Sequence, residues 1–204
     1  LEYSSADINR AIYISTDLYN LYNSNDYRRR NRFYTSEGSG RYTVRKGGSN
    51  EYACTFRTGE IYLNAAEAAF ELEKPEAKDY INKVREVHGG FPANSIQTLT
   101  NDIIRNERRV ELAFEDHRYF DLKRWRIADK VWDGLDSNPV AVVHGLYPYR
   151  ISRPGHPDNG KFIYERVRPT RFKKARFFRM ANYYSSIDQA VINNNPKIVK
   201  NPFH

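Results

Sequence analysis

The sequence predicts a mainly α-helical fold with paired helices, long loops and a small β-hairpin region, and three observations predict it. Apolar residues recur at helical spacing through the middle of the chain. Clusters of Gly, Ser and Arg punctuate the stretch before it, and short runs of β-formers follow Asn138-Pro139. The 204 residues are 40 % hydrophobic and 14 % aromatic, with 16 Tyr and 11 Phe, enough for a packed core despite 28 % charged residues. No run approaches the ~20 apolar residues of a membrane-spanning helix, and Leu1–Arg10 has neither the basic start nor the apolar run of a signal peptide. Leu1 opens the chain and Met180 is its one methionine, so a processed or truncated chain is expected.

The elements follow in order. Ile8, Ile12, Ile14, Leu18 and Leu21 predict one irregular helix within residues 1–25. Arg28, Arg29, Arg30 and Arg32, then Gly38, Gly40, Gly47 and Gly48, predict an exposed, irregular stretch around short strands such as Arg41–Val44, so residues 1–56 form a loop-rich segment. A helical core over residues 57–134 comes next. Its first helix has an inward stripe of Ile61, Ala65, Ala68, Ala69 and Leu72, with Glu60, Asn64, Glu67 and Glu71 opposite. Pro75 opens a second helix whose stripe is Ala77, Tyr80, Ile81 and Val84. The two form a hairpin like one tetratricopeptide unit, with no second copy at a ~34-residue period.

Gly89-Gly90 and Pro92 end that pair. A third helix starts near Thr98–Asn101, with Leu99, Ile103, Val110 and Phe114 facing inward, and a fourth runs from about Arg118 to Trp132, stopping at Gly134. Residues 135–204 form a hairpin and loop region with a tail: extended segments at Val140–Val143, Tyr147–Ile151 and Phe162–Val167, then turns around Asn195-Pro196 and Asn201-Pro202.

Several function classes find little support. Cys54 is the one cysteine, which excludes an internal disulfide framework and a multi-cysteine zinc site. None of His88, His117, His144, His156 and His204 follows a glutamate by three residues, as a di-metal bundle would want, so no metal is expected. No Gly-x-Ser-x-Gly elbow, Walker A loop or dinucleotide fingerprint occurs, so no cofactor is expected. His117 beside Asp116 is a possible acid–base pair, weighed against a solvated or capping histidine at a helix start. Glu107, Glu111 and Glu115 lie four apart on one helix among Arg105, Arg108 and Arg109, and the plain reading is an ion-pair ladder. Arg168, Arg171, Lys173, Lys174, Arg176 and Arg179 interleave with Phe172, Phe177 and Phe178, a pattern that suits polyanions, against the alternative that the rings enter the core.

The run from Ile104 to Trp125, Ile-Arg-Asn-Glu-Arg-Arg-Val-Glu-Leu-Ala-Phe-Glu-Asp-His-Arg-Tyr-Phe-Asp-Leu-Lys-Arg-Trp, resembles the signature of the SusD/RagB family of outer-membrane nutrient-binding lipoproteins. Arg57 with Glu60-Ile61-Tyr62-Leu63-Asn64-Ala65-Ala66-Glu67-Ala68, Asn82-Lys83-Val84-Arg85, and the closing Asn195-Pro196 and Asn201-Pro202 agree, in the expected order, with a fainter echo at Asp26-Tyr27-Arg28. The resemblance implies that residues 1–204 are the C-terminal portion of a single SusD-like domain of tetratricopeptide-like helix pairs. It implies a non-catalytic protein at the outer-membrane cell surface of Bacteroidetes-type bacteria, attached only through a lipid anchor outside this sequence. Its expected partners are a glycan or oligosaccharide and a TonB-dependent transporter of the SusC type; no nucleic acid is expected, and a polyanion-binding module through residues 168–180 is the alternative. Asp116 stands where the family pattern has glycine, and Asp tolerates the left-handed backbone that such a turn needs. Tyr184-Ser185-Ser186-Ile187 replaces a Pro-Ile-Pro-like turn.

The signature itself reads as architecture. Arg108, Arg109, Arg118 and Arg124 are expected to join Glu107, Glu111, Glu115 and Asp121 in a structural ion-pair network across two helices, with Phe114, Leu122 and Trp125 filling between them. For sugar capture, aromatic faces cover C–H surfaces while Arg and Asp bond hydroxyls. Tyr34, Arg41 and Tyr42 in the Gly-rich loop and Tyr147, Tyr149 and Arg150 near the hairpin are the expected ligand-binding residues, weighed against ordinary packing. The net charge of +8 favours an acidic glycan.

Overall fold

The computed structural model describes residues 15–35, 42–44 and 56–204. The chain divides into two compact units, one holding Arg118 and all before it together with His144–Arg171, the other Tyr119–Val143 with Phe172–His204.

In the first unit Ser15 caps α1 (Thr16–Leu21), accepting from the Leu18 amide at 3.4 Å. Residues 1–14 of the expected first helix lie outside the described residues. Where an irregular stretch was expected, α2 (Tyr27–Arg32) forms, because the Asp26 carboxylate accepts from the Arg28 amide at 2.9 Å and starts the helix. The short strands β1 (Phe33–Thr35) and β2 (Tyr42–Val44) pair antiparallel, Tyr34 opposite Thr43 and Thr35 opposite Tyr42.

Helices α3 (Thr58–Glu71) and α4 (Ala77–Val84) form the expected hairpin. Its inner stripe differs from the expected one. Leu63, Ala66 and Ala69 are buried, with Tyr62 and Phe70 alongside, whereas Ile61 and Leu72 are 56 % and 69 % exposed. Apolar residues lie on every side of α3, so the helical period alone leaves the face undecided, and packing against Ile81, Val84, Ile104 and Leu112 decides it. After α4 a π-helical turn (Arg85–Gly89) ends at Gly90, whose φ of +69° suits glycine and where a Cβ would lie 2.3 Å from the Tyr27 ring. Both side-chain groups of Asn82 pin the following loop, donating to the Ile96 carbonyl at 3.0 Å and accepting from its amide at 2.9 Å.

Thr100 caps α5 (Asn101–Glu111). Ile104 and Val110 face inward as core residues, and Phe114 is 46 % exposed because the chain leaves the helix with Phe114 at φ 64° and Asp116 at φ 60°. Asp116 thus takes the left-handed conformation that the missing glycine would have had. Val110 also receives α1: Tyr22 packs on it with Leu18 and Leu146, and the Tyr22 hydroxyl donates to the Val110 carbonyl at 2.8 Å. Strands β3 (Gly145–Arg150) and β4 (Phe162–Val167) pair antiparallel, Gly145 opposite Val167 and Arg150 opposite Phe162.

Helix α6 (His117–Arg124) begins at the end of the first unit and continues into the second. The single fourth helix expected up to Trp132 is two: α6 stops, Arg126 takes φ 57°, and α7 (Ala128–Val131) follows. Leu122, Ala128 and Phe178 form the core of the second unit with Trp125, Val131, Trp132 and Tyr183. Val140–Val143 is not a strand, since the Asn138 side chain accepts from the Val140 and Ala141 amides at 3.0 and 3.4 Å and curls the chain. A 3-10 turn (Met180–Tyr183) and α8 (Gln189–Asn194), capped by Asp188, complete the unit. Among the described residues no helix is long and apolar enough to cross a membrane.

Candidate functional site

Helix α5 places Glu107 and Glu111 one turn apart and Glu115 in the turn beyond. The side chains of Glu107 and Glu111 are 5 % and 0 % exposed, so each needs charged partners to offset the loss of water. Arg28, itself 3 % exposed, donates from Nη1 to Glu107 at 2.6 Å and to Glu111 at 2.8 Å, and pairs with Asp26 through Nε and Nη2. Arg85 donates to the second Glu107 oxygen at 2.9 Å. Arg57 donates from Nη1 to Glu111 Oε1, from Nη2 to the Glu111 carbonyl at 2.5 Å and from Nε to Glu115 at 2.7 Å. His88 Nδ1 lies 2.9 Å from the same Glu111 oxygen.

Burial pulls the Arg28 pKa down, and the hydrogen bond to Asp26, the charges of Glu107 and Asp26 and the hydrogen bond to Glu111 outweigh it, so the net shift is upward. Arg57 moves the same way: burial acts against the charge and is outweighed by the bond to Glu115 and the charge and bond of Glu111. Both guanidiniums are therefore locked in the charged form. Gly59 leaves room for this cluster, since a Cβ there would lie 2.6 Å from Arg57 Nη1 and 3.0 Å from Glu111 Oε1.

The network therefore differs from the expected one in where its cations come from. Arg28, Arg57 and Arg85 reach it from other parts of the chain, while Arg108 donates to Asn64 at 2.7 Å and Arg109 pairs with Asp17 of α1. Asp121 and Arg124 pair with each other at 3.0 Å within α6. Phe114, expected to fill between the helices, is 46 % exposed. The faint Asp26-Tyr27-Arg28 echo and Arg57 were the visible signals of the true partners, and neither has periodicity to announce it.

Next to the network lies a cleft of about 250 Å³ lined by Phe56, Arg57, Glu60, Phe114, Glu115, Asp116 and His117. Glu60 is buried on a face expected to be polar, with His117 Nε2 3.7 Å from its carboxylate. His117 thus faces Glu60 of α3.

Of the expected ligand-binding residues, Tyr147 is fully buried and its ring meets the Tyr149 ring edge-on at 5.2 Å. Tyr149 is half-buried and Arg150 exposed at the end of β3. Tyr147 has no face turned to solvent and acts as backing for Tyr149. Tyr34 and Tyr42 sit on the paired strands β1 and β2, and Arg41 lies outside the described residues. In the basic segment Phe178 is 3 % exposed and joins the core, Phe177 is 65 % exposed, and Arg176 donates to the Val140 carbonyl at 2.5 Å while lying over the Trp132 ring. The core alternative thus holds for one ring of that segment, not for all.

Among curated proteins, the chain is 38 % identical over 96 residues to SusD-like protein P2 of Formosa agariphila, covering 41 % of this chain and 19 % of that protein. It is 36 % identical over 107 residues to SusD-like protein P25 of the same organism, covering 48 % of this chain and 20 % of that protein. The matched stretches thus span about a fifth of these relatives. Among solved structures, surface glycan-binding protein A from Bacteroides uniformis is similar at a TM-score of 0.49 and 21 % identity, over 91 % of this chain and 40 % of that one. The SusD family model matches residues 14–204, nearly the whole sequence, and the chain belongs to the SusD family.

Proposed function

We propose that this chain is part of a receptor that captures glycans or oligosaccharides without altering them, held by a lipid anchor at the outer-membrane cell surface, and delivers them to a SusC-type TonB-dependent transporter. The observation that carries this reading is the SusD family match over residues 14–204. The chemistry of the carboxylate ladder supports it. Catalysis on a glycosidic bond asks for carboxyls that face a substrate and exchange protons, whereas Glu107 and Glu111 are buried and held by Arg28, Arg57 and Arg85. Tyr149, held by Tyr147 behind it, and the neighbouring Arg150 offer one aromatic face and one hydroxyl-binding group at the edge of the hairpin. Tyr34, Arg41 and Tyr42 remain ligand residues of the same reading.

Calorimetric titration of the intact protein with oligosaccharides, followed by chromatography of the mixture, tests this. Binding with every oligosaccharide recovered at its original length is the expected result, with Tyr149→Ala weakening it and crosslinking in outer membranes recovering a TonB-dependent barrel. Shortened products, or no binding to any sugar tested, would overturn the reading.

A further inference from the structure

The turn between α5 and α6 exposes an aromatic ring at a cost in backbone strain. Phe114 sits at φ 64°, a region where a bulky side chain is unusual, and Asp116 repeats it two residues later at φ 60°. Hydrophobic burial alone would turn a phenylalanine inward at the end of a buried helix, yet this ring is 46 % exposed, and Phe56, on the same cleft, is 73 % exposed. The remaining lining consists of Arg57, Glu60, Glu115, Asp116 and His117. Arg57 is spent on Glu111 and Glu115. Glu60, which His117 faces at 3.7 Å, and Asp116 thus give the cleft an acidic, hydrogen-bond-accepting character, with Phe56 and Phe114 in its lining.

That combination selects a ligand class. Aromatic rings cover the C–H faces of a pyranose, and carboxylates accept hydrogen bonds from its hydroxyls. The same carboxylates repel a uronate or sulfated unit. The volume of about 250 Å³ lies just below the ~300 Å³ at which clefts for drug-sized ligands begin, which matches one sugar ring. We propose that this cleft is a subsite for a single uncharged pyranose unit, with Phe56 and Phe114 in its lining and Glu60 and Asp116 accepting from its hydroxyls. This rests on the glycan-capture reading and adds to it a place and a charge preference.

The test is calorimetry of the intact protein against gluco-, galacto- and manno-oligosaccharides and against oligouronates, with Phe114→Gly, Phe56→Ala and Asp116→Asn beside the unmodified protein. Glycine is at ease at φ 64°, so Phe114→Gly is expected to hold or raise Tm while weakening binding of the preferred neutral oligosaccharide about three- to tenfold. Phe56→Ala, at a largely exposed position, is expected to act in the same direction without loss of Tm, and it decides the matter if Phe114→Gly unfolds. Asp116→Asn keeps a residue that tolerates the left-handed turn and removes the charge, so it is expected to narrow the preference for neutral over uronate units. Undiminished affinity in both phenylalanine variants would place the sugar elsewhere, and a stronger affinity for uronates than for neutral sugars would overturn the charge preference. Either result leaves glycan capture standing, whereas failure of the unmodified protein to bind any oligosaccharide removes both.

Discussion

Glu111 is a carboxylate with no access to water whose two oxygens receive Arg28, Arg57 and His88. Its worth lies in the groups it leaves behind. Remove it, and Arg28, 3 % exposed and locked in the charged form, is left with Asp26 and Glu107 among the described residues, while Arg57 keeps Glu115 and the backbone carbonyl of residue 111 but loses the carboxylate on α5. Breaking a buried pair by deleting one partner costs ~3–5 kcal/mol, more than the pair contributes as a whole. Glu111→Ala is therefore expected to destabilise the protein by about that amount, a large share of the ~5–15 kcal/mol that holds a typical domain. Denaturant titration measures it. An unchanged midpoint together with lost glycan binding would instead mark Glu111 as a ligand contact. The same logic explains Glu60, a buried acid on a stripe expected to be polar: His117 opposite it makes burial tolerable, and no periodicity along one helix reveals a partner on another.

The helix stops show which parts of the architecture were legible. Gly90 stands where a helix-ending glycine was expected, but α3 and α6 end on Glu73 at φ 53° and Arg126 at φ 57°. Both ends have the Schellman pattern: Lys74 donates to the Ala69 carbonyl and Glu73 to Phe70, then Ile127 donates to Leu122 and Arg126 to Lys123. At the end of α6, Leu122 and Ile127 pack in one core across the turn, and a rule that looks for glycine passes over both ends. Hence the α3–α4 pair and the β3–β4 hairpin were visible from spacing and β-formers, whereas the break inside the expected fourth helix was not. At that break Arg126 lies over the rings of Tyr183 and Tyr184, 4.8 Å from each, and the Tyr183 hydroxyl donates to Asp129 in the first turn of α7. The bond from Tyr183 holds the Asp129 pKa below its ordinary 3.8, and burial, then the bond to Asp129, raises the Tyr183 pKa above its ordinary 10.0. The linkage signs follow. The Asp129 contribution is present above the ordinary carboxylate pKa and is lost as pH falls through the depressed one; the Tyr183 contribution is present below 10.0 and is lost as pH rises through the raised one. Tyr183→Phe is therefore expected to return Asp129 to the ordinary carboxylate range in an NMR titration and to flatten both limbs of the stability profile. An unmoved Asp129 titration would mean that the clasp contributes nothing.

Charge at the scale of the whole chain and charge at the cleft point in opposite directions. The net +8 draws polyanions from a distance, and Arg171, Lys173, Lys174 and Arg179 are exposed to do so, while the cleft beside the signature turn is lined by Glu60, Glu115 and Asp116. The two fields differ in how salt affects them. Long-range attraction between exposed charges fades as the screening length shrinks from ~10 Å at 0.1 M to ~3 Å at 1 M, but apolar contact and short hydrogen bonds to an uncharged ring do not depend on screening. The affinity of the intact protein for a neutral oligosaccharide is therefore expected to stay within about twofold across that range of salt, and the weaker affinity for an oligouronate to fall steeply. Such a pair of curves would show that the +8 charge governs encounter with anionic surfaces and the cleft governs which sugar is held. A steep fall for the neutral sugar as well would shift binding from the cleft to the exposed cations, and with it favour the polyanion-binding alternative for residues 168–180.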